Sequence, residues 1–164
     1  MLYPILIGAT AGARSMTPLA AVSIAAWNES IPRENGINRL LSKPLIAAGA
    51  TALAVGELLG DKMKSAPDRI VLAGVAARLL TGAVSGAALA PPQRKYLAAA
   101  AGAAAAIAAS YPTFFARIRS MRRLGQTSTG LVEDALVITA AGLVVSSAAK
   151  AMRGDSQAAT AGTS

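Results

Sequence analysis

Gly12-Ala-Arg-Ser-Met-Thr-Pro18 lies in the middle of a run from Leu2 to Trp27, 26 residues that carry one charge, Arg14. At about 1.5 Å of helical rise per residue, such a run is long enough to cross a hydrocarbon core of roughly 30 Å. Pro18 removes a helical hydrogen bond, so the run is expected to break or kink between Arg14 and Pro18. An arginine near mid-bilayer costs about 2.5 to 3.5 kcal/mol on insertion scales, and it is expected to face the bundle interior and meet a carboxylate, a carbonyl or water. The fold therefore turns on which other segments deliver acids to Arg14.

Three segments carry charges in the right setting. In Val55-Gly-Glu-Leu-Leu-Gly-Asp61, Glu57 and Asp61 lie four residues apart and share one helix face at the end of an apolar stretch. Arg78 interrupts Ile70 to Ala90, which Pro91-Pro92 ends. Glu133 and Asp134 open the run Gly130 to Ala149, where a helix amino terminus favours negative charge. Arg14, Glu57, Asp61, Arg78, Glu133 and Asp134 form the candidate solute or ion pathway. The plainer account of the same residues is a set of buried ion pairs that fix helix register.

With 54% apolar residues, 15% charged residues and a mean hydropathy of +0.48 over 164 residues, the chain is too apolar for an ordinary soluble domain. Aromatics are only 4%, so large side chains to fill a soluble core are scarce. Small residues suit helices that approach closely in lipid, and Gly8/Gly12, Gly56/Gly60 and Gly82/Gly86 each match that spacing. The expected fold is an all-α membrane bundle of about five transmembrane helices. They are Leu2–Trp27 with its break, a span from about Leu40 or Pro44 to Gly60, Ile70–Ala90, Tyr96–Ala116 and Gly130–Ala149. Residues 1–150 form one membrane domain, and 151–164, small and polar, are expected as a disordered tail.

Threaded across a bilayer, five spans put the amino terminus on the same side as Glu57, Glu133 and Asp134, with Arg14 near the midplane. Lysines and arginines outside the spans divide seven against seven, which leaves orientation undetermined. The net charge of +8 is spread over short loops and not gathered on one face, which argues against nucleic-acid binding. Without Cys or His, soft metal sites, haem ligation by His, thiol chemistry and Ser-His-Asp catalysis are unavailable. No nucleophile with its base stands out, so the expectation is a non-enzyme with no metal and no cofactor. The expected partner is the lipid bilayer; the glycine pairs would serve packing within one protomer, at least two of the three, or a seam between copies of the chain.

Gly12-Ala-Arg-Ser-Met-Thr-Pro-Leu19, Gly56-Glu-Leu-Leu-Gly-Asp-Lys-Met63 with Ala66-Pro-Asp-Arg69, and Gly130-Leu-Val-Glu-Asp134 occur in this order. Together they resemble the bacterial membrane proteins grouped as domain of unknown function 4126, over about residues 1 to 148. The resemblance implies a small multi-pass inner-membrane protein with an arginine motif, a Glu-x-x-x-Asp motif and a Glu-Asp motif, and it implies no activity. Charge placement itself points to a small permease or channel for an anionic or zwitterionic solute. The expected vestibule is lined by Glu57, Arg78, Glu133 and Asp134, with Arg14 at its base. The rival is a structural or assembly protein in which these charges form dry pairs.

Overall fold

A computed structural model describes residues 1–60, 72–124 and 126–161, and all its regular elements are helical. In chain order they are α1 (Leu2–Ala13), α2 (Met16–Trp27), α3 (Gly36–Leu41), α4 (Pro44–Gly60), α5 (Leu72–Ala88), α6 (Lys95–Leu124) and α7 (Gln126–Ala161). A short 3-10 turn, Pro92–Arg94, leads into α6, and no strand occurs among the described residues.

The first apolar run breaks at Arg14. This residue is extended (φ −138°, ψ 116°), although its N–H still reaches the Thr10 carbonyl at 3.0 Å. Ser15 returns to helical angles and α2 begins at Met16. Pro18 is the third residue of α2, where an N–H would have no acceptor within the helix, so its ring is accommodated without losing a bond. The proline fits a new helix; the single extended residue ends the old one.

That residue also reverses the chain. Along α1, Gly8 faces Gly102 and Gly12 faces Ala106 and Ala109, so α1 runs parallel to α6. Along α5, Gly82 faces Gly102 and Ala106 while Gly86 faces Ala98, so α5 runs antiparallel to both. Beyond α2, the Asn35 amide donates to the Ala87 carbonyl at 2.9 Å and the Asn38 amide to that of Ala88 at 3.1 Å. The end of α2 is thereby tied to the carboxyl end of α5, which lies level with the start of α1.

The expected single broken crossing is therefore a helical hairpin with Arg14 at its tip. The amino terminus lies at the end of the bundle that also holds Trp27, and not at the end that holds Glu57. A proline marks where a hydrogen bond is missing and says nothing about the angle through which the axis then turns.

Three helices meet almost at backbone contact. A Cβ at Gly8 would stand 2.2 Å from the Gly102 oxygen, and one at Gly102 would stand 2.3 Å from the Gly82 oxygen. Gly12 and Gly86 are as tight, at 2.5 Å from the Ala106 oxygen and 2.6 Å from that of Ala98. A Cβ at Gly56 or Gly60, expected in a seam of this kind, would meet nothing within 4 Å among the described residues, where α4 packs on α2 through Ala47, Ala50 and Ala54.

Large apolar side chains lie on the outside as well as in the core, and several polar ones are buried. Leu45 is 82% exposed, and Leu59, Leu97, Phe115, Leu136 and Leu143 also point outward, while Arg14 is 0% exposed and Ser23, Ser85 and Asp134 are buried. Two helical stretches, Pro92–Met121 and Ser128–Gly154, are long and apolar enough to cross a membrane. The other apolar helices are shorter: 17 residues in α4 and α5, and 12 in α1 and α2. Residues 151–161, expected as tail, continue α7 as helix.

Candidate functional site

The tip of the α1–α2 hairpin gathers charge from four other helices. Arg14 Nη2 forms an ion pair with Asp134 Oδ1 on α7, and Nη1 donates to the Glu57 carbonyl on α4 at 3.4 Å. The Asp134 side chain is itself buried. Arg14 is held there by geometry: the helix axis ends at Ala13, and the extended residue points its side chain across the gap.

The Glu57 carboxylate closes the other half of the break. Oε1 accepts from the Ser15 N–H at 2.9 Å and the Ser15 hydroxyl at 2.8 Å, and Oε2 accepts from the Met16 N–H at 2.8 Å. These N–H groups open α2 and have no acceptor within it, and the positive end of the helix dipole adds to their pull. Ser15 makes no capping bond to its own helix. A carboxylate from α4 does so instead, which is an N-cap supplied from another helix.

Two further cations join the group. Arg117 Nη1 on α6 bonds Glu133 Oε2 on α7 at 2.7 Å, with both side chains largely buried. Arg78, buried on α5, lies close enough to Glu57 and Glu133 to be attracted by both and close enough to Arg14 to be repelled. Among the described residues, Arg14, Arg78 and Arg117 thus stand with Glu57, Glu133 and Asp134. Such pairing matters at low local dielectric, because an uncompensated buried charge costs several kcal/mol.

Five of the six sequence candidates thus meet at one end of the bundle. Asp61 lies outside the described residues. The arrangement differs from the expected vestibule in two ways. Arg117, read from sequence as part of an interfacial basic segment, belongs to the cluster. Among the described residues, Arg78 and Glu133 line two different spaces.

The space around the cluster is divided by Thr113, whose hydroxyl donates to the Ala109 carbonyl at 2.7 Å. On one side is a void of about 20 Å³ bounded by Gly12, Arg78, Ser110 and Tyr111, with room for a single water. On the other, α6 and α7 diverge to leave a cleft of about 290 Å³. Its walls include Ala13, Ala116, Val132, Leu136 and Val137, and Arg117, Glu133 and Thr129 supply its polar end.

Comparison with known proteins adds no assignment: no family model, no curated protein and no solved structure matches the chain. What stands, among the described residues, is an all-helical bundle with two helices of membrane length, and a buried cluster of ion pairs at a helix break.

Proposed function

We propose that the chain is a multi-pass inner-membrane protein in which α4, α5, α6 and α7 cross the bilayer and the α1–α2 hairpin enters from one face. Outward leucines and inward arginines support this reading. At about 25 Å by helical rise, α4 and α5 fall at the short end of the crossing range, whereas α1 and α2, at about 18 Å each, reach only part of the way. Arg14 then sits level with Ser110 in α6, about 22 Å from the start of that helix. It is near the far interface and not at the midplane. The resemblance to the domain of unknown function 4126 proteins is of a piece with this class, since the motif blocks that carry it hold Arg14, Glu57 and Glu133-Asp134.

Within that class, the cluster and cleft fit a small permease or channel for an anionic or zwitterionic solute, seen in an occluded state. The observation that carries the reading is the 290 Å³ cleft ending on the Arg117–Glu133 pair directly beside the broken hairpin. Helix breaks inside membranes are tolerated where they are buried in protein or line a cavity, and they place helix ends where a charged solute needs them. Purified protein in liposomes should pass small carboxylates or amino acids faster than protein-free liposomes, and Arg117→Gln should slow that flux. Flux no faster than through protein-free vesicles would overturn the transport reading.

One observation favours the structural alternative. Arg14 has no exposed surface, and the Glu57 carboxylate already accepts three hydrogen bonds, as in a clamp that holds the hairpin against α4 and α7. The clamp reading predicts that replacing Arg14 and Asp134 together by leucine restores stability lost in either single variant.

A further inference from the structure

We infer that the end of the bundle holding Trp27 is a docking surface for the head groups of anionic phospholipids. This rests on the membrane reading and goes beyond it, since a bundle in a bilayer need not choose among lipids.

Segments far apart in the sequence meet at this end. The Asn35 and Asn38 amides hold the α2–α3 connection and α3 on the last carbonyls of α5, and Pro91 and Pro92 lead from there into α6. Arg153 Nη2 donates to the Ser30 carbonyl at 3.1 Å, which brings α7 to the same level. Ile31, Leu41, Leu89, Ala148 and Ala149 are buried together beneath them.

The polar layer over that floor is basic. Arg33, Arg39 and Lys43 come from the stretch around α3, Arg94 and Lys95 from the start of α6, and Lys150 and Arg153 from α7. Against these seven cations the described acids at this end are Glu29 and Glu34, and Glu29 already pairs with Arg33 at 3.2 Å. Arg39, Lys43, Arg94 and Lys150 are exposed and have no ion pair among the described residues. Such an excess attracts anions.

What lies directly beside the charges identifies the partner. Lys43 is followed on α4 by the outward Leu45, and Lys95 on α6 by the outward Tyr96 and Leu97. Tyr96 is 79% exposed, with the Lys95 ammonium 4.9 Å from the centre of its ring, and Trp27 is 53% exposed. Both α4 and α6 run away from this end, toward Glu57 and Arg117. Cations, aromatic rings and leucines therefore follow one another in depth, as phosphate, interface and acyl chain do in a leaflet. A nucleic acid or an acidic protein would answer the cations and leave the leucine rim without a partner. An anionic phospholipid answers both, and one unpaired cation beside its head group gives about a fivefold preference over a zwitterionic lipid.

The test reads the fluorescence of Trp27, the single tryptophan of the chain, with the full chain reconstituted in bilayers. Phosphatidylglycerol and phosphatidylcholine are mixed in equal parts, and one or the other carries bromine on its acyl chains as a local quencher. Brominated phosphatidylglycerol should quench more strongly, by an amount that corresponds to about a fivefold preference. Salt at about 1 M, where the screening length is about 3 Å, should at least halve that preference. Arg39→Gln, Lys43→Gln, Arg94→Gln and Lys150→Gln together spare the bonds of Arg33 and Arg153, and this variant should be quenched equally in the two mixtures. A preference that persists in the variant, or that 1 M salt leaves unchanged, would overturn the assignment; the salt series uses the native chain and decides even where the variant does not insert. Loss of the preference on adding polyuridylate would also overturn it, in favour of a nucleic acid. Strong but equal quenching of the native chain would keep the membrane reading and remove the lipid surface. No quenching by either brominated lipid would remove the membrane reading itself.

Discussion

Glu57→Gln is the sharpest perturbation of the hairpin. The substitution preserves size and removes one charge, so its effect is electronic. In the native protein three donors converge on two carboxylate oxygens: Ser15 N–H and Ser15 Oγ on Oε1, Met16 N–H on Oε2. Glutamine keeps one acceptor oxygen. Placed toward Ser15, that oxygen retains two bonds in neutral form, each about half as strong as a charge-assisted one. The amide nitrogen then faces the Met16 N–H, donor against donor, in a partly buried setting.

Net bonds to a charged acceptor are worth about 1.5 to 3 kcal/mol, and neutral ones about 0.5 to 1.5. Losing one bond outright and weakening two gives a destabilisation of about 3 to 5 kcal/mol. Alanine should cost at least as much, since it leaves both opening N–H groups of α2 without an acceptor. The assay is reversible unfolding in mixed micelles with increasing denaturing detergent, followed by helical circular dichroism. An effect of Glu57→Gln below about 0.5 kcal/mol would refute the capping geometry, because that is the range of an unremarkable surface change.

Gly8→Ala should destabilise by about 3 kcal/mol, at the upper end for overpacking, because the new Cβ would lie 2.2 Å from a backbone oxygen that cannot swing away. Gly56→Ala, on an open helix face, should instead stabilise by about 0.5 to 1 kcal/mol, and the pair compared in the same unfolding assay gives opposite signs. Asn35→Ala removes both the bond to the Ala87 carbonyl and the side-chain cap of α3, and should cost about 2 kcal/mol in that assay. Arg14→Leu and Asp134→Leu should each cost about 3 to 5 kcal/mol, and the double variant much less than their sum, as read from a double-mutant cycle.

How much of this was legible in the sequence depends on the length scale of each signal. The break near Arg14 follows from a local residue pattern, and so does the gathering of acids on the segments that bear Glu57, Glu133 and Asp134. Reversal of the chain at that break does not, because nothing in Gly12–Pro18 encodes the angle that α6 and α5 impose by packing on Gly8, Gly12 and Gly82. The seam partner Gly102 has no glycine four residues away, so spacing alone passes over it. Arg117 belongs to a run of basic residues, and only the contact with Glu133 separates it from its neighbours. The role of Glu57 as a cap for another helix is invisible to capping rules, which look within a few residues along the chain.

The hairpin is tested most directly by cysteine labelling, for which the native chain offers a clean background since it contains no Cys. Leu2→Cys and Asn28→Cys, in intact spheroplasts and in inverted vesicles, are exposed to a membrane-impermeant maleimide. Both positions should label from the same side of the membrane. Labelling of one from each side would mean that the first apolar run crosses once, and that Arg14 is not the tip of a returning hairpin.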